Sequence, residues 1–237
     1  MTTLLLVRHG LTAMTGPVLA GWTPGVRLDE RGRAQVTALA ARLASLPLAA
    51  VVSSPLERCA ETAEAIAAGH AEPVAKIETD ERFGEVRYGD WTGRPLKELA
   101  EEPLWRVVQT HPSAVRFPGE AGESLAGAQH RAVSAVRDWN ARIAAEHGSD
   151  ALYLVCSHGD IIKAIVADAL GLHLDQFQRI QADPASLTAI RYTETRPFAV
   201  RVNDTGGDVA ALVPEPAEDG AGKAGLGSDD AVVGGGA

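Results

Sequence analysis

The chain is poor in cysteine, in lysine and in long apolar runs. Two cysteines among 237 residues, Cys59 and Cys156, cannot build a disulfide framework, so the expectation is a reduced, cytoplasmic protein. No apolar run approaches the roughly 20 residues that span a bilayer, so no membrane partner is expected. Met1-Thr2-Thr3 carries no positive n-region, so no secretory leader is expected. Basic excess is absent as well: 22 Lys+Arg stand against 31 Asp+Glu, a formal charge of −9. A nucleic-acid binder would show a basic face for phosphates, so nucleic acid is excluded as a partner. Lysine is so scarce, four against 18 arginines, that an arginine at any one position is weak evidence of a site. What is present is an apolar fraction of 46%, enough for a buried core, which excludes wholesale disorder.

The charge is uneven. From Asn203 onward there are seven acids, one base (Lys223), nine of the 24 glycines and no aromatic residue. Such a segment buries too little apolar surface to offset chain entropy, so 203–237 is expected to be a disordered, solvated tail. Residues 1–202, with 21 bases against 24 acids, are expected to form one domain.

Within that domain, strand, tight turn and helix alternate. Thr3–Val7 is a short apolar run that ends at Arg8-His9-Gly10, and reads as a buried strand. Asp29 is placed to cap a helix that keeps its period to about Ser45. Ala49–Ser53 reads as a second strand. Ser54-Pro55-Leu56-Glu57 has the pattern of a capping box, with Ala60, Ala63, Ile66 and Ala67 as the apolar stripe of the helix that follows and Gly69 as its C-cap. Ala151–Cys156 is a third strand, ending at Ser157-His158-Gly159, and Asp160–Leu170 the helix after it. Leu187–Thr193 and Phe198–Val202 read as a closing hairpin. The fold class expected is α/β, a mostly parallel central sheet with helices on both faces.

Ligands of open α/β sheets bind beyond the carboxyl ends of the strands. Three such ends here carry Arg8 and His9, Arg58, and His158, each near a helix N-terminus that favours an anion. Two arginines and two histidines around free backbone N–H groups suit a phosphate dianion, since guanidinium forks bind its oxygens bidentately. A histidine between two arginines is held neutral, and its free lone pair can attack phosphorus. Its other ring nitrogen is expected to donate to a backbone carbonyl in the Gly10 turn. The reaction then needs an acid for the leaving oxygen, and Glu85, in the loop Phe83–Gly89, is the best-placed carboxyl. His70, His111, His130, His147 and His173 sit in loops or on polar faces and are given no role. Both cysteines read as small packed side chains.

Four segments resemble the motifs of the histidine phosphatase superfamily, in its phosphoglycerate-mutase-like branch. They are Leu6-Val7-Arg8-His9-Gly10, Ser53–Ala63, Gly84–Gly93 and Ser157-His158-Gly159-Asp160, in the family's order from about residue 3 to 202. The resemblance implies His9 as the phosphorylated nucleophile and Glu85 as acid, then base. It implies Arg8, Arg58 and His158 as phosphate ligands that stabilise the transition state. Thr12 matches a common Ser/Thr, and Gly159 belongs to the final motif. Gly21-Trp22 and Tyr88 resemble substrate-side residues. Where the family commonly has Asn, this chain has Met14-Thr15, so either Thr15 substitutes or that contact is absent. No metal or organic cofactor is implied. The closing Asp230–Ala237 resembles the end of a bacterial subgroup named after phosphoglycerate mutases.

True mutases carry a longer insertion between the acid and the second histidine, with paired arginines for the substrate carboxylate. Here 73 residues separate Glu85 from His158, and Arg94, Arg106 and Arg116 are not adjacent. A shorter cap implies a pocket that admits water. The expected activity is therefore hydrolysis of a small phosphomonoester. Phosphoglycerate mutase-type transfer and a non-catalytic phospholigand-binding protein are the alternatives. Trp105, Arg106, His111 and Arg116 are placed either to contact the leaving group or to serve as ordinary cap residues. The partner expected is a small phosphorylated substrate, and a homodimer is compatible with the sequence.

Overall fold

The computed structural model describes residues 1–70 and 76–206. The elements run β1 (Thr2–Arg8), α1 (Glu30–Leu43), β2 (Leu48–Ser53), α2 (Glu57–Ala68), β3 (Ile77–Thr79), α3 (Leu96–Leu99), α4 (Pro103–Thr110), α5 (Leu125–His147), β4 (Ala151–Ser157), α6 (Gly159–Ala169), β5 (Leu187–Tyr192) and β6 (Pro197–Asp204). One six-stranded sheet has the order β3-β2-β4-β1-β5-β6. The pairings β1/β4, β2/β4 and β2/β3 are parallel, and β5 and β6 add an antiparallel edge.

The central strands are apolar without a break because both faces are covered. Successive side chains point to opposite sides. Leu4, Leu6, Tyr153 and Val155 enter a core shared with α5 and α6 residues such as Val136, Trp139 and Ile161. Leu5, Val7, Leu154 and Cys156 enter the other core, with Val36, Leu39, Ala63 and Ile66 of α1 and α2. The expected layered α/β architecture is thus observed.

Parallel pairing brings the strand ends together. Arg8 stands in register with Ser157, and Ser53 with Cys156. The ladder continues one step into the loops, through His9 N–H to Ser157 O (3.0 Å) and Ser54 N–H to Cys156 O (2.9 Å). Asp29 caps α1, accepting from Gly32 N–H at 2.7 Å. The first turn of α1 then presses on the His9–Leu11 loop. A Cβ on Gly10 would lie 2.7 Å from Gly32 O, so only glycine lets the two backbones approach this closely.

Several expectations are corrected. The capping box at Ser54 does not form: α2 begins three residues later, with Leu56 at the N-cap and no side-chain cap. Pro55 cannot donate, and Ser54 Oγ is turned inward to His158, as described below. The buried face of α2 is Arg58, Cys59, Thr62, Ala63 and Ile66, whereas Ala60 and Ala67 are only half-buried. The domain does not stop at 202. Asn203 and Asp204 belong to β6, and the Asn203 amide pairs with Asp183, accepting from its N–H at 2.6 Å and donating to Oδ2 at 2.7 Å. The expected disordered tail lies, from residue 207 on, outside the described residues. The 23-residue α5 was not anticipated. Ser124 caps it, and Leu125, Ala128, Ala132, Val136, Trp139 and Ile143 repeat at helical spacing, so its signal was present in the pattern.

Candidate active site

Arg8, His9 and Ser157 lie at the ends of β1 and β4, Arg58 in the first turn of α2, and Glu85 in the loop between β3 and α3. All are buried, although four of these positions bear charged or titratable groups. Burial of that kind is sustained by hydrogen bonding.

His9 Nδ1 lies 2.8 Å from the carbonyl of Gly10, and Arg58 Nε donates to His9 Nε2 at 3.2 Å. A carbonyl takes only a donor and a guanidinium N–H needs an acceptor, so the ring is assigned the Nδ1–H tautomer with its lone pair on Nε2. Burial first, and then Arg58 and Arg8, holds the His9 pKa well below its ordinary value. The expected neutral imidazole with a backbone partner in the Gly10 turn is what the structure contains.

Arg58 organises the site. Nη2 donates to Gly21 O at 2.8 Å and approaches His158 Nδ1 at 3.2 Å. Nη1 is buried and has no hydrogen-bond partner among the described residues. Arg8 Nη1 donates to Ala182 O at 2.8 Å. Both guanidiniums line a narrow cleft together with His9, Thr12, Thr15, Gly21, Glu85 and Tyr88.

His158 is fully buried and is not part of the cleft wall. Its Nε2 lies 2.7 Å from Ser54 Oγ, and with Arg58 donating to Nδ1 the ring is the Nε2–H tautomer. Its pKa is also held well below normal, by burial and then Arg58 and His9. Gly159, likewise buried, opens α6 behind the wall. The structure therefore brings seven of the sequence-derived residues to one cleft beside Arg58, and puts His158 and Gly159 behind it.

Glu85 Oε1 accepts from Val86 N–H at 2.9 Å, and Oε2 lies 3.9 Å from His158 Nδ1. Its pKa is pushed up to about 7, by burial first and Asp160 second. The Glu85 carbonyl is clamped by the Trp22 indole (2.6 Å) and by Arg131 (2.9 Å), which also holds the carbonyls of Arg82 and Gly84. Thr12 and Thr15 lock together through their hydroxyls at 3.0 Å.

Sequence reasoning missed the roles of Ser54, Arg131 and Asp160, while Trp22, read beside Gly21 as a substrate-side residue, instead holds the Glu85 carbonyl. Asp160 accepts from Tyr88 Oη at 2.8 Å and lies 3.7 Å from Lys163 Nζ. A buried polar pair one helical turn apart, Asp160 and Lys163, in a helix whose other charged residue, Asp168, is exposed was the available signal. Trp105, Arg106, His111 and Arg116 do not reach the cleft, and Trp105 packs beside Trp91 at 6.2 Å. The cap-side wall comes instead from Met14–Gly21 and Leu96. Among the described residues no group of three or more His, Cys, Asp or Glu is arranged to hold a metal ion.

Two histidines bridged by an arginine, with one of them sharing a cleft with two arginines and a carboxyl, suit phosphoryl transfer. The histidine phosphatase superfamily (branch 1) matches residues 4–205, and the chain belongs to that family. It is 31% identical over 216 residues to phosphoserine phosphatase 1 of Hydrogenobacter thermophilus, covering 86% of this chain and 93% of that one. It is 27% identical over 184 residues to a 2,3-bisphosphoglycerate-dependent phosphoglycerate mutase of Gloeobacter violaceus, covering 77% and 82%. Among solved structures it resembles Bacillus stearothermophilus YhfR, with a TM-score of 0.72, 28% identity, and 86% and 98% of the two chains covered. No helix among the described residues is long and apolar enough to cross a membrane.

Proposed function

We propose that the protein hydrolyses small phosphomonoesters through a phosphohistidine on His9. One observation carries this reading: the neutral His9 presents its Nε2 lone pair in a cleft that also holds Arg58, whose Nη1 is unpartnered among the described residues, and the high-pKa Glu85. As substrate seats, the Arg58 Nε–H passes from the imidazole to a phosphate oxygen and frees the lone pair. Nε2 bonds to phosphorus while the ester P–O bond breaks, and Glu85 gives its proton to the leaving oxygen. Water then attacks phosphorus, its proton goes to Glu85, and the Nε2–P bond breaks to release phosphate. Arg8, Arg58 and the Thr12–Thr15 hydroxyl pair stabilise the transferring group's oxygens. His158 acts through Arg58, fixing its orientation from behind. The protein's two buried free cysteines, Cys59 and Cys156, suit a reducing compartment and support a cytoplasmic enzyme.

The test is phosphate release from a panel of phosphate esters by wild type and His9→Ala, with acid-labile phosphoprotein trapped in parallel. Loss of both signals in His9→Ala is expected. Retained activity in that variant would sink the mechanism. Interconversion of phosphoglycerates without phosphate release would instead favour the mutase.

A further inference from the structure

Part of the cleft wall is built from apolar side chains, beside the more polar Thr15, Gly16 and Tyr88. Met14, Val18, Leu19 and Ala20 line it from the loop after β1, and Leu96 lines it from α3. Backbone hydrogen bonds lace these two segments together: Leu96 N–H to Pro17 O (3.0 Å), Leu19 N–H to Arg94 O (3.0 Å) and Gly93 N–H to Leu19 O (2.8 Å). The wall is therefore positioned by main chain, not by side chains that swing aside.

Among the described residues lining the cleft, the cations are Arg8 and Arg58, and the phosphate claims both. Arginines near the wall are engaged elsewhere. Arg94 pairs with Glu102 at 2.8 Å, Arg87 stacks on Trp22 at 4.0 Å, and Arg131 is bound to Glu123 at 2.6 Å.

We infer that this cleft selects phosphomonoesters of uncharged alcohols with an apolar carbon face, aryl or alkyl, and discriminates against a carboxylate on the leaving group. The inference rests on the phosphatase reading above and narrows its substrate class. An apolar group gains by leaving water against Met14, Val18 and Leu96. A carboxylate there loses water without gaining a partner.

The experiment compares kcat/KM for 2-phenylethyl phosphate with that for O-phosphoserine and 3-phosphoglycerate, whose leaving groups are all alkyl alcohols. Wild type, Leu96→Lys, Leu96→Met and His9→Ala are assayed. Wild type is expected to favour the phenylethyl ester at least about tenfold. Leu96→Lys should narrow that ratio about tenfold by raising turnover of the carboxylate esters, and Leu96→Met should keep it. His9-dependent hydrolysis that favours the carboxylate esters, or a ratio unmoved by Leu96→Lys, overturns the inference and leaves the phosphatase reading standing. No His9-dependent hydrolysis of any ester overturns both.

Discussion

The hydroxyl of Tyr88 donates to Oδ2 of Asp160 at 2.8 Å, joining the cleft wall to the buried start of α6. Asp160 is fully buried, is flanked by Lys163 at 3.7 Å, and is the charge that, after burial itself, does most to raise the Glu85 pKa. Under the proposed mechanism it acts through the acid, Glu85, without touching substrate. Glu85 must be protonated when the leaving oxygen departs, so activity should fall as pH rises past about 7. Asp160→Asn removes the like charge, lowers the Glu85 pKa and moves that alkaline limb to lower pH. A pH profile of kcat/KM checks this, and an unmoved limb would refute it.

The same elevated pKa links stability to pH. Glu85 binds its proton more tightly folded than unfolded, so its contribution is favourable below the unfolded value and is lost as pH rises through about 7. Glu85→Gln removes the cost of burying the charge. It should be more stable than wild type at pH 8, by on the order of 3 kcal/mol. The gap should shrink towards pH 5. Denaturant midpoints at the two pH values measure it.

Ser54 Oγ is placed 2.7 Å from His158 Nε2, at the bottom of the site. Ser54→Ala leaves that ring N–H with only the weak Cys59 Sγ acceptor at 3.4 Å, which costs about 1 kcal/mol or more. Because His158 orients Arg58, the variant should also lose kcat. Ser54→Thr, which keeps the hydroxyl, should recover more activity than Ala. A variant with normal stability and turnover would contradict the arrangement.

Cys59 lies 3.4 Å from His158 Nε2, close enough to the chemistry to invite a redox role. Burial pushes its thiol up to about 12, and Cys156 is raised as well. Neither should react with a thiol reagent at pH 8 until denaturant is added, and activity should survive the treatment. Fast labelling of the native enzyme would show an open route to the site.

The hydrogen bonds that most constrain the chemistry join residues far apart in sequence. Arg58 reaches His9 across 49 positions and His158 across 100. What the local sequence determined was the strand–turn–helix order and the chemistry at each strand end, because Arg8, His9 and His158 are set by the short loop that follows their own strand. Glu85 was legible as a loop carboxyl in a glycine-flanked segment. The tautomer of His158 was not, because it depends on Ser54 and Arg58, which come from another segment. Ser54 read as a helix cap because its local pattern is that of one, and only the adjacent β4 end supplied a stronger partner. Likewise the cap residues from 101 to 123 look polar enough to meet substrate, yet Leu96 and Met14 occupy the wall. Sequence alone thus fixes which groups stand at the sheet edge. Burial, tautomer, the elevated Glu85 pKa and the apolar side of the cleft were decided by tertiary structure, since each depends on what distant segments exclude water from or place alongside.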